Sequence, residues 1–232
     1  MASGPGTAQE SVESAASPAA TQAVTTGKRP LDAENSIASG GAATKRKRGG
    51  PPPKVAAAKC LAVFGIGNEG KECANQRHNL GERVVLALAR RRGISLCHAD
   101  STTATHSMTV GERACLLVLP QGHINESGPG LRTALEAGSC QGAAFLVVSD
   151  DCALPLGRLR MRRKGSCGGH NGLRSIEQEF GQDYHRLRIG IGGSASREHV
   201  IGNFTTEEEA VISLAVERAA EAVDLWLTLG PE

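Results

Sequence analysis

His78 stands in a polar stretch, Gly65 to Gly81, that follows a short apolar run, Cys60-Leu61-Ala62-Val63-Phe64. Histidine is the side chain whose ordinary pKa lies nearest neutrality, so His78 is the natural general base. A carboxylate on its far ring nitrogen would fix the tautomer and stabilise the imidazolium. Asp150, at the end of a later apolar run, suits that role. Asn68, Asn125 and Asn171 bring uncharged donors and acceptors. Such amides can hold an ester or amide carbonyl and stabilise a developing oxyanion, by roughly 3–4 kcal/mol per donor. The chain has no Gly-x-Ser-x-Gly elbow, and no Cys stands beside a candidate base in a motif. Water is therefore the expected nucleophile, and hydrolysis of an acyl bond the expected reaction.

These residues need a scaffold that brings them together. Cys60 to Phe64 is short and rich in β-formers, as a buried strand should be. Glu82 to Arg92, with Val84, Val85, Leu86, Leu88 and Ala89, reads as a helix. Asn68 and His78 then lie on a strand-to-helix connection, at the carboxyl edge where open α/β folds place their sites. Gly65-x-Gly67-x-x-Gly70 matches a dinucleotide fingerprint, but its context does not fit. The residues after Gly70 stay polar, and the acidic residue expected about twenty positions on falls inside the helix. A plain glycine-rich turn accounts for the glycines, though not for Arg77-His78-Asn79.

Further along, Ile94 to His98 reads as a short strand, and Ser107–Val110 with Arg113–Leu119 as a hairpin. Leu131–Ala137 reads as a helix, and Ala143–Val148 as a strand delivering Ser149-Asp150-Asp151. Leu156 to Arg163 alternates apolar and basic residues, a period of two. The glycine-rich loop Gly165–Leu173 opens a helix that runs to about Phe180. Tyr184–Ile191 is a strand with Arg186 and Arg188 on one face. A capping box, Thr206-x-x-Glu209, starts a C-terminal helix ending near Leu229. This alternation predicts an α/β fold: a single domain with a twisted, mostly parallel mixed sheet flanked by helices. Each polar strand end alone is an ordinary turn. Four of them carrying amide or acid groups point to one shared site.

Composition sets the limits. Aromatics make up 3% of the 232 residues, so the core must be aliphatic. Residues 1–58 are Ala, Ser, Thr, Gly and Pro with no aromatic, and read as a disordered low-complexity tail; 59–232 is the catalytic domain. The tail carries Lys28-Arg29 and Lys45-Arg46-Lys47-Arg48. Those clusters suit nuclear import or RNA contact, although a solvated tail is the commoner meaning of short basic runs. Glu10 and Glu13 precede the first basic residue, which disfavours a transit peptide. The cytoplasm is the expected compartment, with nuclear and organellar destinations left open. No apolar run approaches the ~20 residues of a membrane helix. The seven Cys lack Cys-x-x-Cys spacing and read as reduced thiols. The His residues show no metal spacing either, so the sequence leaves a zinc site open but unsupported. Arg158, Arg160, Arg162, Arg163 and Lys164 lead into the 165–172 loop, and Arg174, Arg186 and Arg188 follow. Alone, the first five would be a solvated sheet face; together the set suits phosphate contact with a folded RNA. Few aromatics are present for base stacking.

Several motifs together resemble the bacterial-type peptidyl-tRNA hydrolases. They are Asn68-x-Gly70 with Arg77-His78-Asn79-x-Gly81, Asn125-x-Ser127-Gly128, Asp150 with Leu154-Pro155-x-Gly157, Gly168-Gly169-His170-Asn171-Gly172-Leu173, and His185 to Gly192. They occur in the family's order and cover about Lys59 to Leu229. The resemblance implies cleavage of the ester between peptide and tRNA, with His78 activating water and Asp150 stabilising it. It implies that Asn68 distinguishes blocked from free aminoacyl groups and that Asn125 and Asn171 bind substrate. It places Arg160, Arg162 and Arg188 where tRNA-contacting residues lie, and Cys73 and His123 where the family lines its cleft. It implies peptidyl-tRNA as partner, no membrane, no cofactor and a monomer. The chain departs from the pattern at Glu69, where Pro is usual, and at Cys73 and His123-Ile124, where aromatics and Met are usual. It departs again at Ser149 to Ala153, where the family's run is more acidic and led by His. If those changes spoil the cleft, the alternative is an RNA- or protein-binding module without turnover. Retention of both His78 and Asp150 favours the enzyme.

Overall fold

The computed structural model describes residues 60–96, 105–120 and 122–231. The proposed tail, 1–58, lies outside them, as do Cys97 and His98 of the expected short strand; Ile94 to Leu96 are irregular.

Four strands run parallel: β1 (Cys60–Gly65), β3 (Arg113–Val118), β4 (Ala144–Asp151) and β6 (His185–Gly190). Two antiparallel strands, β2 (Thr105–Val110) and β5 (Leu159–Arg162), close the edges. The order across the sheet is β2-β3-β1-β4-β6-β5. Alternate side chains of each strand enter opposite cores: Leu61 and Val63 one, Ala62 and Phe64 the other. The first core holds Val84 and Leu88 of α1 (Leu80–Arg91) with Ile212, Val223 and Leu227 of α5 (Thr206–Leu229). The second holds Leu131 and Leu135 of α2 (Ser127–Ala137) with Leu173 and Ile176 of α3 (Asn171–Phe180). A short α4 (Arg197–Ile201) precedes α5. No helix among the described residues is long and apolar enough to cross a membrane.

Three local expectations change. Thr205, not Thr206, caps α5: its Oγ1 accepts the Glu208 N–H at 3.2 Å, and Glu208 Oε2 accepts the Thr205 N–H at 2.8 Å. Glu209 is thereby left to pair with Arg83 of α1. On β5 even Met161, on the supposed apolar face, is exposed, so the alternation there does not mark a buried face. Finally, Cys60 and Cys140 form a disulfide, so the thiols are not all reduced. Leu61 pairs with Ala144, which sets the start of β1 beside the turn before β4 with the two Cα atoms 5.7 Å apart. A separation of 80 residues hides that proximity from the sequence.

Candidate active site

The connection after β1 is shaped by two glycines at a close approach. A Cβ on Gly65 would lie 2.4 Å from the Gly81 carbonyl oxygen, and one on Gly81 would lie 2.2 Å from that of Val148. The first turn of α1 therefore rests directly on the ends of β1 and β4. The turn Arg77–Asn79 just before it is fixed on both sides of His78. Buried Asn79 accepts the Asn68 N–H at 3.0 Å and donates to the Asn68 carbonyl at 2.7 Å and to Glu82 at 2.8 Å. Buried Arg77 donates to the Asn203 carbonyl at 2.7 Å and to Glu208 at 2.6 Å.

So held, His78 meets Asp150. Its Nδ1 lies 2.9 and 3.1 Å from the two carboxylate oxygens. Asp150 is a buried residue within β4, not a loop residue beyond it. A second imidazole completes the group: His170 Nε2 lies 3.0 Å from Asp150 Oδ1. His170 also caps α3, its Nδ1 accepting the Leu173 N–H at 3.4 Å. That acceptance leaves the His170 proton on Nε2, donated to Asp150. With the carboxylate ionised, His78 likewise donates from Nδ1, and its Nε2 keeps a free lone pair. No hydrogen-bond partner for that Nε2 occurs among the described residues. Burial alone would push the Asp150 carboxyl up, but His170 and then His78 outweigh it by charge and hydrogen bonding. They hold it well below the usual carboxylate range. The ligand atoms of these three residues lie within 4.8 Å of one another, a spacing that would suit a metal ion. Hydrogen bonds already account for it.

Sequence reasoning does not single out His170, although it stands in the Gly-Gly-His-Asn run at the opening of α3. Nothing local says that a helix cap on one loop reaches the same carboxylate as a base on another.

His78, Asp150, Asn68, Asn125, Asn171, His123 and Arg188 all line one cleft of about 550 Å³. Asn68 Oδ1 accepts the Ile124 N–H at 2.9 Å, which leaves its Nδ2 for a ligand. Among the described residues the Asn125 side-chain amide is unpaired, whereas Asn171 Oδ1 accepts from Arg174 at 3.3 Å. Cys73 does not line the cleft, and Arg160 and Arg162 are exposed on β5 away from the lining. Arg188 pairs with Asp151 at 3.2 Å and donates to the Ser166 carbonyl. Arg186 leaves the basic patch altogether. It is 1% exposed, stacks 4.1 Å from the centre of the Tyr184 ring and donates to the Ser166 and Gln182 carbonyls. Glu69 is a clasp: its carboxylate accepts the Gly122 N–H at 2.8 Å and its N–H donates to the Gly122 carbonyl at 3.0 Å.

Two thiols, Cys152 and Cys167, also line the cleft, which the sequence did not indicate. Among the described residues neither thiol is hydrogen-bonded to a histidine. Burial and then the charges of Asp150 and Asp151 push the Cys152 thiol up, against forming a thiolate.

The parallel strands of this α/β fold thus deliver a buried carboxylate, two imidazoles and amide side chains to one strand-end cleft. Comparisons with known proteins specify it. The sequence pattern of the peptidyl-tRNA hydrolase family matches residues 62–232. A peptidyl-tRNA hydrolase of Dehalococcoides mccartyi is 38% identical over 176 residues, covering 72% of this chain and 93% of the relative. One of Levilactobacillus brevis is 38% identical over 169 residues, covering 71% and 91%. The crystal structure of the Acinetobacter baumannii peptidyl-tRNA hydrolase aligns with a TM-score of 0.67 at 30% identity, covering 75% of this chain and 91% of that one. The chain belongs to the peptidyl-tRNA hydrolase family.

Proposed function

We propose that this chain hydrolyses the ester of peptidyl-tRNA with water activated by His78. The observation that carries this reading is His78 Nδ1 at 2.9 Å from buried Asp150, with Nε2 unpaired in an open cleft. Nε2 takes a proton from water, and the resulting hydroxide attacks the ester carbonyl. Asp150 stabilises the imidazolium, and His170 holds Asp150 in place. The Asn68 Nδ2 and the Asn125 amide are donors for the carbonyl oxygen as it gains charge. Collapse breaks the ester, and the imidazolium returns its proton to the departing tRNA hydroxyl. Asn68 is the residue we assign to discrimination between blocked and free amino groups, with Asn171 and His123 as further substrate contacts. Arg160 and Arg162, exposed and unpaired among the described residues, are assigned to tRNA phosphates. Arg188, lining the cleft, joins them. We take 59–232 as the catalytic unit and 1–58 as a separate basic segment.

The test is release of tRNA from an N-blocked aminoacyl-tRNA, with unblocked aminoacyl-tRNA alongside. Cleavage of the blocked substrate alone, lost in His78→Ala while tRNA binding persists, is the expected result. Folded protein that binds tRNA without cleaving it would instead indicate a binding module.

A further inference from the structure

Most of α5 is packed on the sheet, but one stripe of it faces solvent. Val211, Leu214, Leu225 and Leu229 are 44%, 63%, 56% and 64% exposed, and they are four of the six large exposed apolar side chains among the described residues. At 3.6 residues per turn they fall on one side of the helix, with exposed Arg218 and Glu221 between them. Exposed apolar side chains scattered singly are ordinary; a row of them on one helix is not.

The row reads almost alike from either end: apolar, apolar, Arg, Glu, apolar, apolar. In an antiparallel pair of identical helices, facing residues have numbers with a constant sum. About a two-fold axis between Ala219 and Ala220, Leu214 meets the partner subunit's Leu225 and Val211 meets the partner subunit's Leu229 and Thr228. Arg218 meets the partner subunit's Glu221. Each contact then occurs twice, as an isologous interface requires. The charges are complementary and available. Arg218 has no ion pair among the described residues, and Glu221 has only a 3.7 Å approach from Arg91 at the surface.

We propose that this stripe is a self-association surface, through which two copies pair by antiparallel packing of α5. The proposal revises the expectation of a monomer. None of the stripe residues lines the cleft, so pairing uses none of the catalytic lining. A single helix pair is small for an interface, so the dimer is weak and reversible.

Sedimentation equilibrium of the full chain over a micromolar concentration series tests this. The expected mass rises from one chain towards two. Arg218→Glu and Glu221→Arg each set like charges opposite one another and should lose the dimer; the doubly exchanged variant should regain it. Leu214→Asp should lose it with no rescue. All these positions are exposed, and circular dichroism checks that each variant folds. A single-chain mass throughout would overturn the proposal, including the case where residues 1–59 cover the stripe. So would a dimer indifferent to these substitutions, or one that the double exchange fails to restore.

Discussion

Asp150 carries more of the site than any other side chain, because both imidazoles depend on its two oxygens. Asp150→Asn keeps the shape but cannot accept from both histidines as an anion, and one ring loses its tautomer. The hydrolysis rate should fall by roughly 10²–10⁴-fold, read as kcat with tRNA affinity unchanged. The same charge links the fold to pH. An unfolded Asp titrates near ~3.9, and folded Asp150 titrates lower. Its ionised form therefore stabilises the fold fully above about pH 4, and that contribution is lost as pH falls through the folded pKa. Urea midpoints measured from neutral to strongly acid pH should fall less steeply in Asp150→Asn than in the parent. Equal slopes would mean that the carboxylate is not held low.

The elements place these groups through a few tight contacts. Gly81→Ala puts a methyl 2.2 Å from the Val148 carbonyl oxygen, so α1 must lift from the strand ends. The expected cost is roughly 1–3 kcal/mol in denaturant unfolding, with hydrolysis reduced because the His78 turn moves as well. Behind the 165–169 loop, Arg186 and Arg188 donate to one carbonyl, that of Ser166, four residues before His170. Arg186 is a buried cation 3.6 Å from Glu177, and removing one partner strands the other. Arg186→Ala should cost roughly 3–5 kcal/mol of stability by denaturant titration; a surface-like loss below about 1 kcal/mol would contradict its burial. On β5 the situation is reversed. Arg160→Ala should leave stability unchanged and lower the slope of log affinity for tRNA against log salt by about one; an unaltered slope would remove it from the RNA-contacting surface.

For the molecule as a whole, the disulfide ties the first strand to the middle of the sheet. Cys60 and Cys140 lie at the amino ends of β1 and β4, whereas the cleft lies at their carboxyl ends. Closing a loop of this length should contribute roughly 2–4 kcal/mol, so reduction or Cys140→Ser should lower the denaturant midpoint. Hydrolysis below the transition should be untouched. A lost activity without lost stability would place the bridge in the mechanism instead of the scaffold.

Local pattern carried the parts that neighbours in the chain decide. Apolar runs and their periods marked β1, the β2–β3 hairpin, β4, α3 and α5, and the recurrence of amide and acid groups at strand ends located the cleft. His78 and Asp150 were legible as a pair because only their chemistry had to match. Small register errors, such as Thr206 for Thr205, arose because adjacent threonines offer the same cap and packing of the whole helix chooses between them. Partnerships across the fold were not legible. His170 joins Asp150, Arg186 turns inward while Arg188 reaches the cleft, and Cys60 meets Cys140, because the tertiary fold brings strand ends, helix caps and turns that are far apart in the chain to the same places. The periodicity of a segment reports which of its faces is buried. It carries no information on which distant segment does the burying, and that choice rests on the summed packing of all six strands.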